Sequence, residues 1–333
     1  SGVGGAVACD STQMMPIGTA SHETGHGLGL PDFYDTDAND GDDSEGIGGW
    51  GLMGSGNYYS PLSPSSFEAL SRSILGWVTV RRLQTSGTYS FGPSALGDTV
   101  FLIRPTGSNP RGEYFLLENR QGVLTDSARI RTAGPGLLVW HVDSLQYHTR
   151  FGYNDINSGP VHGLVLVEAH GAPYHLLVST GGNRGDGGDP FPGTSGVTAL
   201  VPDPANKGWL NSGVAPGFQL DSITQLAVKG PLSFRVAFGG NLRWTVTGPG
   251  TVSATPSVAA SGSWVSYGDS VVLVAVPNPN AIFMGWTGDV IASARRIVPL
   301  AVRSYNITAT FSAATVDSVV HHLLVGTGLL TSQ

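Results

Sequence analysis

Cysteine is nearly absent from this chain. Cys9 is the single one in 333 residues, so no intrachain disulfide can form. It reads as a small buried apolar residue, as a thiol whose partner lies elsewhere, or as a latency ligand. Charge is scarce too, at 12% of residues, and the net charge of -7 argues against nucleic acid or an anionic membrane as partner. No run of 18 or more apolar residues occurs, so no transmembrane segment is expected. Glycine (48) and proline (21) are abundant instead, which predicts a loop-rich β protein of two or three domains rather than a helical bundle.

One stretch carries chemistry: Ser21-His22-Glu23-Thr24-Gly25-His26-Gly27-Leu28-Gly29-Leu30-Pro31-Asp32. Two histidines four apart share a helix face, so both imidazoles can reach one metal ion. Glu23 projects beside that ion, where a base for a zinc-bound water is needed. Gly29 can adopt a left-handed conformation and stop the helix, Pro31 cannot continue it, and the returning chain offers Asp32 as third ligand. Three protein ligands leave a fourth position open, as in a catalytic rather than a structural zinc site. Ile17, Ala20 and Leu28 are expected on the buried side of this helix.

The wording H-E-T-G-H-x-L-G-L-P-D-x-Y-D resembles the metzincin clan of zinc endopeptidases, and within it the immune inhibitor A family of secreted bacterial proteases. The motif is also similar to that of snapalysin. The resemblance implies His22, His26 and Asp32 as zinc ligands and Glu23 as general base and acid. It implies Met53, in the glycine-rich turn around Trp50, as an apolar floor beneath the histidines. The family usually has aspartate where this chain has Gly51. A sheet-bearing subdomain precedes the zinc helix in metzincins and is not found in this sequence, so the chain is expected to be a fragment or processed form.

Other stretches are less specific. The acidic loop from Asp35 to Glu45 opens like a calcium loop, but Gly41 and Glu45 miss EF-hand spacing, so calcium is an open alternative to a solvated loop. Ser63-Pro64 predicts a helix start, Phe67, Leu70, Ile74 and Leu75 its packed face, and Gly76 its end. From residue 79 short apolar runs separated by glycine, proline and asparagine predict strands. Glu118-Asn119-Arg120-Gln121, the segment from Gly136 to Asp143, and the glycine-rich run from Gly181 to Gly193 also resemble the immune inhibitor A family. His141 and Asp143 share a strand face and read as a hydrogen-bonded pair lining a sheet, with metal binding as the alternative. His170 and His175 show no ligand spacing. Asp186 and Asp189 could hold calcium or sit in an irregular loop. Residues 241–313 resemble a bacterial surface repeat of the internalin B type, and 314–325 read as helical.

The expected architecture is an α+β partial metzincin-like catalytic domain over 1–78, built from active-site helix, methionine turn and closing helix, followed by all-β domains. These are a β-sandwich-like region over 79–240 and the repeat over 241–313, with the start of a helical module over 314–333. The expected function is that of a secreted, extracellular zinc metalloendopeptidase acting on proteins or peptides. Glu23 would assist attack by a zinc-bound water. Cell-surface or carbohydrate contacts are expected of the C-terminal modules. The alternative is a binding or adhesion protein with an incomplete or inactive peptidase core.

Overall fold

The computed structural model describes residues 16–37, 44–172, 174–177, 182–299 and 304–314. Cys9, most of the acidic stretch (38–43) and all but the first residue of the helix expected over 314–325 lie outside them. The chain is α+β, mostly sheet with few and short helices, and forms two units, residues 1–237 and 238–333.

The first unit opens with helix α1 (Ile17–Gly27), capped by Pro16 and followed by Gly29 at φ +88°. Its buried face is not the expected one. Ile17, Ala20 and Leu28 are exposed, whereas Gly18, His22 and Gly25 are buried. The reason is close backbone approach. A Cβ on Gly25 would lie 2.3 Å from the sulfur of Met53, so the methionine packs directly against the helix. Ile17 and Leu28 instead line an open groove of about 640 Å³ with Leu52, Leu62, Phe67 and Trp77.

Helices α2 (Gly56–Tyr59) and α3 (Ala69–Ile74) follow. The start expected at Ser63-Pro64 is delayed to Glu68, whose carboxylate accepts the Ser71 amide at 2.8 Å. Residues 65 and 66 cannot join the helix because their backbone is already engaged: Ser65 N–H donates to Gly56 O, and Ser66 O accepts from Leu52 N–H. Ile74 is exposed rather than packed, and Gly76 at φ +69° ends the helix as expected.

The strands of this unit are β1 (Thr79–Leu83), β2 (Gly87–Phe91), β3 (Thr99–Ile103), β4 (Tyr114–Arg120), β5 (Gly136–Val142), β6 (Leu164–Leu166), β7 (Phe191–Pro192) and β8 (Phe218–Gln225). Helix α4 (Ser127–Ala133) precedes β5 and α5 (Ser144–Arg150) follows it. The main sheet runs β1-β3-β4-β5-β6, with β7 also on β5, and is antiparallel except for β1 beside β3. Strand β9 (Leu232–Thr247) pairs with β2 and β8 through its first part. Phe91 of β2 and Phe234 of β9 meet Phe101 of the main sheet edge-on, at ring separations of 4.9 and 5.8 Å. Segments on both sides of residue 78 build one core: Leu30, Phe33, Trp50 and Met53 cluster with Val100, Leu116, Leu138 and Trp140.

The later part of β9 belongs to the second unit, in a sheet ordered β11-β9-β15-β13 from β11 (Ser263–Ser266), β13 (Ala281–Gly288) and β15 (Tyr305–Ala313). A second sheet joins β10 (Gly250–Thr255), β12 (Val272–Pro277) and β14 (Arg296–Ile297). Leu273, Phe283, Trp286 and Phe311 fill the core of this unit.

A buried ion network ties α3 and α4 to β4. Arg120, with its side chain 1% exposed, lies 2.9 Å from Asp126 and 3.2 Å from Glu118, and donates to the Phe67 carbonyl at 3.1 Å. Trp140 Nε1 donates to the same Glu118 oxygen at 2.8 Å. Removing the cation would strand two buried carboxylates. Arg120→Leu is expected to lower unfolding free energy by about 3–5 kcal/mol. Urea titration checks this, and a loss below about 1 kcal/mol, as for an exposed pair, would contradict it.

Candidate metal centre

Helix α1 delivers His22 and His26 on one side, and the turn at Gly29 returns Asp32 to face them. Asp32 Oδ1 stands 3.0 Å from His22 Nε2 and 3.4 Å from His26 Nε2. The imidazole rings meet edge to face at 4.9 Å. In each ring Nδ1 is committed elsewhere: His22 to the Leu52 carbonyl at 2.8 Å, His26 to the Leu30 carbonyl at 2.9 Å. A carbonyl only accepts, so Nδ1 carries the proton and Nε2 faces the shared space.

Asp32 is buried, and its two oxygens differ. Oδ2 accepts from Asn154 Nδ2 at 2.7 Å, while the Asn154 side-chain carbonyl accepts the Asp32 amide at 2.8 Å. Oδ1 meets no well-directed hydrogen bond. Burial disfavours charge on His22, but the Asp32 carboxylate and the Leu52 carbonyl outweigh it and hold its pKa above the ordinary value. Burial likewise disfavours charge on Asp32, but His22 and Asn154 hold its pKa below the usual carboxylate range. The three side chains thus suit a cation. Ligands of a tetrahedral zinc, about 2.0–2.1 Å from the ion, stand about 3.3 Å apart, and the observed separations fit.

Glu23 is exposed beside His22, in a polar cleft of about 390 Å³ lined also by Tyr34, Glu45, Tyr58 and Arg184. Tyr34 stacks on His22 at 6.5 Å, and burial together with the nearby Asp32 charge pushes its pKa up to about 12. Arg184 Nε donates to Glu45 at 3.1 Å, and its guanidinium lies 5.9 Å from the Tyr58 ring centre. Met53 is fully buried under α1, and its backbone carbonyl accepts from Phe33 N–H. Where the resembled family has aspartate, a side chain on Gly51 would meet Ile47 and the Glu68 carboxylate, 2.5 and 2.8 Å from its Cβ.

The remaining sequence candidates separate. His141 stands 3.0 Å from Glu113, and Asp143 pairs with Arg111 while capping α5 through Gln146 N–H, so both serve the fold. The described part of the acidic loop gathers no cation site: Asp35 accepts from Asp37 N–H, and Glu45 is held by Arg184 and Ser55. His170 and His175, unremarkable by spacing, converge with Glu168, and His170 also converges with Asp186 and Asp189, the pair read as possible calcium ligands. Burial and the neighbouring Asp189 push Glu168 up to about 8. Among the described residues, every His and acid grouping that could hold a metal lies in the first unit. Sequence reasoning missed Asn154, which follows Asp32 by 122 residues in a left-handed turn at φ +55°. Its only signal was a loop rich in Gly, Asn and Asp.

Two imidazoles and a buried carboxylate face one space, with the exposed Glu23 carboxylate beside them, a donor set that could hold a metal ion. Residues 4–80 match the catalytic domain of the immune inhibitor A peptidase M6 family, and residues 241–315 match the divergent InlB B-repeat domain. The match supports a metallopeptidase, and the His22–His26–Asp32 group fits the metal it implies. No curated protein matches the chain.

Asn154→Ala removes both hydrogen bonds that aim Asp32. Metal affinity is expected to fall about 10–100-fold, as for other residues that orient a ligand. Competition against a chelator measures it, and unchanged affinity would remove Asn154 from the centre.

Proposed function

We propose that this chain carries the zinc-binding part of a secreted, metzincin-like endopeptidase. The observation that supports it most is the buried Asp32 oxygen, without a hydrogen bond and turned toward two Nε2 atoms whose rings are locked by backbone carbonyls. Zinc bound there supplies a Lewis acid that brings the pKa of water toward neutrality and polarises a carbonyl. His22, His26 and Asp32 hold the ion. Glu23, exposed in the cleft, takes a proton from the attacking water and returns it to the leaving amine. Met53 fixes the height of the histidines by filling the space under Gly25. Tyr58 and Arg184, on the same cleft wall, offer donors to a peptide backbone or acidic side chain. The second unit, matched by the repeat domain, serves as an extracellular spacer or contact module. Among the described residues no helix is long and apolar enough to cross a membrane.

Glu23→Gln separates holding from turnover. The variant is expected to bind as much zinc as the wild type while peptide hydrolysis falls at least about 100-fold. Zinc analysis and a fluorogenic peptide assay on the same preparations check both halves. Equal hydrolysis would contradict the role of Glu23. A zinc-loaded wild type without hydrolysis would favour the binding-protein reading.

A further inference from the structure

Between β6 and β7 the first unit gathers a second set of metal donors. Glu168 lies just past the end of β6, after Val167, and its two oxygens accept the backbone N–H groups of His175 and Leu176 at 2.9 and 3.1 Å. These bonds fold the following segment back, so the rings of His170 and His175 stand 4.6 Å apart. His170 Nε2 lies 2.8 Å from Glu168 Oε2 and 3.4 Å from Asp189 Oδ1. The donor atoms of Glu168, His170 and His175 fall within 4.8 Å of one another, and so do those of His170, Asp186 and Asp189.

Asp189 is the telling member. It is fully buried, and its Oδ2 accepts from Trp50 Nε1 at 2.7 Å and from Asp186 N–H at 2.9 Å. Its Oδ1, turned toward His170, accepts no hydrogen bond, and His170 Nε2 makes no well-directed one. A buried carboxylate oxygen left this way is costly unless a cation meets it. Beside them Asp186 accepts from Gly188 N–H and from Asn183, its Oδ2 lies 3.4 Å from His175 Nδ1, and the Asn183 amide also donates to that nitrogen at 3.2 Å. Two imidazoles with carboxylates suit a borderline metal, whereas calcium seeks six to eight oxygens.

We propose that Glu168, His170, His175 and Asp189 form a second site, distinct from His22–His26–Asp32, that holds a divalent transition-metal ion of the zinc class. With four protein ligands it is a closed, structural site. Through the Trp50–Asp189 bond it steadies the turn from Gly48 to Gly54, whose Leu52 carbonyl holds His22. The proposal stands apart from the peptidase reading, because it concerns metal content and not turnover.

The test uses the full chain carrying His22→Ala and His26→Ala, which removes the first site. This chain is titrated with Co²⁺, followed by visible absorption, and with Zn²⁺, followed by elemental analysis after gel filtration. About one equivalent of either ion is expected, bound at least about 10-fold more weakly once His170→Gln and His175→Gln are added. Circular dichroism confirms that each variant is folded. If the His22 and His26 replacements fail to fold, the wild type is compared directly with His170→Gln/His175→Gln, and two equivalents should fall to one. A folded chain that takes up no Co²⁺ or Zn²⁺ without the first site would overturn the proposal. So would unchanged affinity after the His170 and His175 replacements, or uptake of Ca²⁺ in place of Co²⁺.

Discussion

A buried carboxylate must be met by positive charge, and the first unit is arranged around that demand. Asp32 is shut away from water, with one oxygen tied to Asn154 and the other turned to two imidazoles. Everything nearby preserves this facing. Gly29 turns the chain back, Leu30 and Leu52 fix the ring tautomers, and Met53 sets the helix at its height. A cation in that space satisfies the free oxygen and both Nε2 atoms at once. Asp32 holds the His22 pKa above its ordinary value, so a proton and a metal ion compete for the same nitrogen.

The same logic recurs across the main sheet. Arg120 answers Glu118 and Asp126, Arg111 answers Asp143, and Glu113 is met by His141 and by the Asn211 amide. Few charges are present, at 12% of the chain, yet many of them are buried and paired. Buried pairs of this kind add little net stability over an apolar core but penalise wrong arrangements heavily. The cluster of Glu168, His170 and Asp189 departs from this pattern, since Arg or Lys does not complete its unbonded oxygen.

Local chemistry made part of this legible in advance. His22, His26, Gly29 and Asp32 lie within eleven residues, so helical pitch and a glycine stop were enough to bring them together. The short apolar or alternating runs at 99–103, 114–118 and 136–142, set off by turn residues, fall within strands β3, β4 and β5. Asn154 was hidden because its partner is 122 residues away and the pairing exists only after folding. His170 and His175 were hidden for a related reason: backbone hydrogen bonds to Glu168, not helical spacing, bring their rings together. The late start of α3 follows from backbone pairing of Ser65 and Ser66 with the methionine loop, which local helix signals cannot register. The exposed Ile17 and Leu28 show the limit of reading apolar residues as buried, because glycines on the opposite face allowed closer packing.

The most direct test of the central claim is anomalous diffraction at the zinc edge from crystals of the chain grown with zinc. The account predicts a peak about 2.0–2.2 Å from His22 Nε2, His26 Nε2 and Asp32 Oδ1. A zinc-soaked crystal with no anomalous density between these three atoms would contradict it.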